Sequence, residues 1–141
     1  MKRHILLVDD DKDELVIFMD ALRRVPSDDG FKCTYAASTS QAIEMLKYLV
    51  PDYVFADFNM PGMNGLQFLQ DLKDQQRLEK AQLWLYSTYI SEEVKERAQH
   101  LGIRCLKKSD TIDSLAKSLS NLFPGKKQVN YAFGQFLAFT R

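Results

Sequence analysis

The sequence predicts an α/β domain built on a parallel sheet with helices on both faces. Three observations carry this. Five short apolar runs alternate with five segments of helical periodicity along 141 residues. Runs such as Ile5-Leu6-Leu7-Val8 and Leu83-Trp84-Leu85-Tyr86 are continuous rather than alternating, as in strands buried on both sides. The polar residues that could do chemistry fall just after these runs, and the strand ends of a parallel sheet share one edge.

The first strand covers residues 5–8 and stops against charge. Leu15, Phe18, Met19 and Leu22 then recur at i, i+3, i+4 and i+7, which predicts a helix with one apolar face. Asp11, Asp13 and Glu14 occupy its first turn, where the helix dipole favours anions. Residues 26–30 hold Pro and Gly and break it. Phe31–Ala36 reads as the second strand on its Phe, Thr and Tyr content. Ser38-Thr39-Ser40-Gln41 matches a capping box with Ser38 as N-cap. Ile43, Leu46 and Val50 are expected on the buried face of that helix, and Pro51 stops it.

Tyr53–Ala56 is the third strand. A helix from about Gly65 turns Leu66, Leu69 and Leu72 inward. The fourth strand covers residues 83–86 and ends at Ser87-Thr88. Ser91 caps the next helix, with Glu92 and Glu93 opening it, Val94, Ala98 and Leu101 inward, and Gly102 just past its end. Residues 103–106 form a short fifth strand, followed by Lys107-Lys108-Ser109-Asp110. The last helix holds Leu115, Leu119 and Leu122 and ends before Pro124-Gly125. Residues 1–123 therefore form one domain, and 124–141 an aromatic-rich tail with Tyr131, Phe133, Phe136, Leu137 and Phe139. Apolar residues in that number are expected to pack on the domain or to contact a partner or a second copy.

Composition narrows the function. Lys and Arg number 19, and Asp and Glu also 19. A zero net charge argues against nonspecific nucleic-acid or membrane binding. The tail is too short for a helix-turn-helix. No apolar stretch approaches the 18 residues of a membrane span, and the basic start (Lys2, Arg3, His4) leads to too short an apolar run for a signal peptide. Cys33 and Cys105 lie in apolar runs without metal-ligand spacing and read as unbridged thiols. The expected setting is the cytoplasm.

Asp9 and Asp10 follow the first strand, Asp57 the third, Ser87 the fourth and Lys108 the fifth. Taken singly, each has an ordinary explanation. Asp9-Asp10-Asp11 suits a helix cap, Asp57 a turn, Ser87 a cap, and Lys107-Lys108 a solvated pair. Together they converge on one edge. Two unit charges about 4 Å apart repel by roughly 4 kcal/mol at an effective dielectric near 20, so clustered carboxylates call for a cation. Magnesium suits one or two carboxylates with waters and phosphate oxygens, and Asn59 can add its backbone carbonyl. Asp57 then stays ionised and able to attack phosphorus in line. Lys108 would neutralise the phosphoryl oxygens, and the Ser87 hydroxyl would hydrogen-bond one of them.

Leu6-Leu7-Val8-Asp9-Asp10-Asp11, Asp57-Phe58-Asn59-Met60-Pro61 with Gly65, Ser87, and Leu106-Lys107-Lys108-Ser109 resemble the response regulator receiver domain, the phosphorylation module of two-component signalling. The resemblance runs over about residues 3–123. It implies a flavodoxin-like (βα)5 fold with strand order 2-1-3-4-5. It implies that Asp57 accepts a phosphoryl group from a histidine kinase or a histidine phosphotransfer protein. The implied metal site has Asp10 as direct Mg2+ ligand, Asp9 acting through water, Asp57, and the Asn59 carbonyl, with Mn2+ able to substitute. Ser87 would move toward the phosphate and Lys108 would pair with it. The implied output is a downstream protein or a homodimer, through the tail or through the face formed by residues 91–120 with Arg104 and Leu106.

Departures from the family pattern bear on the readout. Cys105 stands where an aromatic residue often serves as a reporter. Thr88 and Tyr89 are bulkier than the usual small pair, and Tyr89 is expected to hinder water attack on a phosphoaspartate. The spacing from Gly102 leaves Lys107 as a competitor for Lys108. The alternative function is an aspartate-nucleophile, metal-dependent phosphohydrolase using Asp9 and Asp11, which spell D-x-D. It leaves the Asp57 motif without a role. A flavin carrier on such a fold would need a Ser/Thr/Gly-rich phosphate loop where this chain has three acids.

Overall fold

A computed structural model describes residues 2–123. Its elements in chain order are β1 (Arg3–Val8), α1 (Lys12–Arg23), β2 (Phe31–Ala36), α2 (Thr39–Met45), β3 (Tyr53–Ala56), α3 (Gly65–Lys73), β4 (Gln82–Ser87), α4 (Glu92–His100), β5 (Arg104–Lys107) and α5 (Ile112–Leu122). A 3-10 turn at Gln76–Leu78, which periodicity did not indicate, leads into β4. The strands form one parallel sheet in the order β2-β1-β3-β4-β5. This is the flavodoxin-like arrangement. The tail residues Tyr131, Phe133, Phe136, Leu137 and Phe139 lie outside the described residues.

The continuous apolar strands divide their side chains by twos between two cores. Leu6, Val8, Val54, Ala56, Leu83 and Leu85 face the core completed by α2, α3 and α4. Ile5, Leu7, Tyr53, Phe55, Trp84 and Tyr86 face the one completed by α1 and α5. Strand side chains alternate sides, so a strand covered on both faces must be apolar throughout. In the second core Phe18 of α1 meets Phe55 and Tyr86 edge-on at 5.2 and 5.6 Å. Arg24 and Asp113 pair across α1 and α5 on the outside.

Side-chain caps open four helices, at Ser38 and Ser91 as expected and at Asn64 and Thr111 in addition. Each accepts a hydrogen bond from the amide three residues on. Gln41 reaches back to the amide of Ala37, one residue before its cap.

The expected buried face of α2 is corrected. Leu46 is buried, but Ile43 and Val50 are 44% and 54% exposed. The helix ends at Met45, and Thr39 and Ala42 with Leu46 take the core positions. Small residues seat the helix close to the sheet, so the largest side chains were a poor guide to its inner face.

Candidate functional site

Register brings the predicted residues together. Val8 lies beside Ala56, and the ladder runs one step further where the Asp57 amide donates to the Val8 carbonyl at 3.0 Å. The Asp9 amide likewise donates to Ala36, and the Lys108 amide to the Ser87 carbonyl at 2.9 Å. Asp9, Asp57, Ser87 and Lys108 therefore share the C-terminal edge of the sheet.

Lys108 is the hub. Its Nζ lies 2.8 Å from Asp9 Oδ2, 3.3 Å from Asp57 Oδ2 and 3.9 Å from Glu14 Oε2. It also sits 5.4 Å from the centre of the Tyr86 ring, within cation–π range. Burial disfavours the lysine charge, yet the Asp9 hydrogen bond and charge, then Asp57 and Glu14, hold its pKa above the ordinary value. Lys107 is exposed and lies on the other side of the strand, along a groove, so Lys108 and not Lys107 is the lysine at these carboxylates.

Asp57 is nearly buried. Its Oδ1 accepts from the Ser87 hydroxyl at 2.8 Å and from the Asn59 amide at 3.3 Å. Asp9 is fully buried, and burial pushes its carboxyl up despite Lys108 and the Asp11 amide. The Tyr35 hydroxyl anchors this strand end by donating to the Asp9 carbonyl at 2.6 Å. Asp10 is exposed, and one carboxylate oxygen each from Asp9, Asp10 and Asp57 lie within 4.8 Å of one another. Three clustered oxygen donors, one exposed, fit a hard divalent cation. Asn59 is exposed beside them. Asp11 instead caps α1, accepting from the Asp13 amide at 3.0 Å.

Two contributors escaped the sequence reading, and a third, Gly65, was named there without its packing role. Gly65 begins α3 so close to Asp57 that an added Cβ would lie 2.0 Å from the Asp57 carbonyl oxygen. Glu14 turns inward toward Lys108, as a place one helical turn past Asp10 could have suggested. Tyr86 is fully buried under Lys108, and burial, then the Glu14 charge, keep its phenol protonated.

The residues expected to carry the readout share a groove beyond Ser87. Thr88, Tyr89, Glu92, Lys95, Cys105 and Lys107 line an open groove of about 370 Å³ between the loop after β4 and β5. Tyr89 is 74% exposed. Cys105 is half-buried, and burial raises its thiol pKa.

The model of the response regulator receiver domain matches residues 5–120. The chain belongs to the response regulator receiver domain family. This receiver is 29% identical over 128 residues to the probable chemotaxis protein CheY of Rhizobium etli, covering 89% of this chain and 96% of that one. Its fold matches the phosphorylated cyanobacterial phytochrome response regulator RcpA with a TM-score of 0.76 at 22% identity, over 86% of this chain and 91% of that one. It matches the Mg2+–BeF complex of TrrA from Thermotoga maritima with a TM-score of 0.68 at 21% identity, over 86% and 99%. These two likenesses are of fold. The receiver is thus a CheY-like module of two-component signalling, and the phosphohydrolase alternative finds no support. Asp11, which that alternative needs at the site, is spent on a helix cap. Among the described residues no helix is long and apolar enough to cross a membrane.

Proposed function

We propose that this receiver accepts a phosphoryl group on Asp57, in the cytoplasm, from a histidine kinase or a histidine phosphotransfer protein. The observation that carries the reading is Asp57 at a shared strand edge, with Ser87 on one carboxylate oxygen and Lys108 on the other. An Asp57 oxygen attacks phosphorus, the phosphorus–nitrogen bond of the donor breaks, and its electron pair returns to the imidazole. Lys108 and Ser87 are already within reach of the added oxygens. Asp9, Asp10, Asp57 and the Asn59 carbonyl would hold Mg2+, or Mn2+ in its place, as the Mg2+ in the TrrA complex supports. The bound ion would neutralise the carboxylates and the phosphoryl oxygens.

The protein assists its own phosphorylation and dephosphorylation and turns over no separate substrate. Phosphorylation replaces about one negative charge with nearly two and adds strong acceptors. Ser87 and Lys108 make their phosphate contacts only in that state. The shift is transmitted to Thr88 and Tyr89 and to the face of α4, β5 and α5, where a downstream protein or a second copy binds. Cys105 cannot supply a ring to that switch, so the loop after β4 carries more of it.

Incubation with acetyl phosphate and Mg2+, followed by intact mass, tests this reading. The wild type gains one phosphoryl group and Asp57→Ala gains none. Steady phosphomonoester hydrolysis that depends on Asp9 would overturn it. The phosphorylated form should decay slowly, and Tyr89→Ala should decay faster. An unchanged decay rate would remove Tyr89 from that role.

A further inference from the structure

Glu14 has no part in the phosphoryl site as just described, yet it faces that site's lysine. Asp11-Lys12-Asp13-Glu14 has the spacing of a capping box, in which Glu14 would reach back to the Asp11 amide. That amide instead donates to Asp9 Oδ1 at 3.0 Å. Glu14 turns inward, with its side chain 19% exposed and its Oε2 3.9 Å from Lys108 Nζ. Burial raises its carboxyl pKa, the mark of an acid drawn into the protein rather than left in water.

The three carboxylates around Lys108 form a graded series. Asp9 is bonded at 2.8 Å, Asp57 at 3.3 Å, and Glu14 stands just outside bonding range at 3.9 Å. A charge-assisted bond is about 2.8 Å long, so a shift of about 1 Å would bring Lys108 onto Glu14. Asp9 and Asp57 are also two of the three carboxylates that gather as a cation site. Lysine and a divalent cation therefore compete for the same two groups. A buried ammonium displaced from both would lose its partners, which is costly unless another anion waits. Glu14 is placed for that, and the Tyr86 ring lies under the ammonium at 5.4 Å.

We propose that Glu14 is a positioning residue for Lys108, taking over its ammonium when a divalent cation claims Asp9 and Asp57. This rests on the metal-binding receiver reading above. It makes Lys108 a movable counter-ion, ready beside the cation before phosphate arrives.

Magnesium titration of the whole chain by calorimetry tests it. Glu14→Gln keeps the side-chain size and should weaken Mg2+ binding about fivefold, the low end of ordinary site-to-site coupling. In a Lys108→Met background the same substitution should change little. Glu14→Asp keeps the charge but draws it back by about 1.5 Å, one carbon–carbon bond, and should bind Mg2+ as weakly as Glu14→Gln. Simple attraction between Glu14 and the cation gives the opposite pattern. Glu14→Asp would then bind nearly as well as wild type, and Glu14→Gln would weaken binding equally in both backgrounds. Either result overturns the proposal, as does a Glu14→Gln protein that binds like wild type. A wild type that binds no Mg2+ would overturn the metal reading as well.

Discussion

Asp9 shows how a single side chain can be ill at ease in the fold and still be kept. It is fully buried, and burial holds its carboxyl pKa above the ordinary 3.8. A carboxyl that prefers its proton in the folded state costs stability when ionised, and the cost is relieved as pH falls through the raised value. Asp9→Asn should therefore melt at a higher temperature than wild type at pH 7 without metal. Its advantage should shrink as the pH approaches 4, as thermal denaturation across that range would show. An advantage that grew on acidification would contradict the burial argument. At this scale the sequence was ambiguous, because Asp9, Ser87 and Lys108 each have an everyday role when read alone. Lys107 and Lys108 could not be separated by spacing. The ion pairs separate them: Lys108 Nζ lies 2.8 Å from Asp9 and 3.3 Å from Asp57, while alternation along the strand sends the exposed Lys107 to the opposite face.

At the scale of elements, the loop from β3 to α3 is held by a close backbone approach. The Gly65 amide donates to the Phe58 carbonyl at 3.0 Å, and its Cα side rests on the Asp57 carbonyl. A methyl group at 2.0 Å from an oxygen cannot be accommodated without moving backbone. Gly65→Ala should destabilise the fold by about 3 kcal/mol, in the range of overpacking and backbone strain. It should also weaken Mg2+ binding, because the strand end carrying Asp57 must shift. Urea denaturation and metal titration would check both effects, and a variant within about 0.5 kcal/mol of wild type would contradict the close approach. Helix starts were legible because caps are local, a hydroxyl or amide side chain meeting an amide three residues on. The buried face of α2 was not, because a seven-residue helix seated on Thr39 and Ala42 leaves Ile43 outside. Apolar periodicity reports size and hydropathy, and close seating on a sheet selects small residues instead.

For the whole molecule, a continuous apolar strand implied two covered faces, and the sheet order β2-β1-β3-β4-β5 with its two cores has that form. The strand order itself was legible through the resemblance to the receiver family, while the residues following the first, third, fourth and fifth strands pointed to one shared edge. The deeper packing around the site was not. Glu14, Tyr86 and Tyr35 meet the edge through tertiary contacts that no local pattern records. If the acidic edge binds a divalent cation only when folded, Mg2+ at about one hundred times its dissociation constant should add about 2.7 kcal/mol of stability. Denaturation with and without Mg2+ would show it, and Asp57→Ala should lose most of the gain. The central claim is that Asp57 alone takes the phosphoryl group. Its most direct measurement is borohydride trapping of the acyl phosphate after acetyl phosphate treatment, followed by peptide mapping. Reduction is expected at residue 57 and nowhere else; trapping at Asp9 or Asp10, or a stable phosphate ester on Ser87, would contradict the claim.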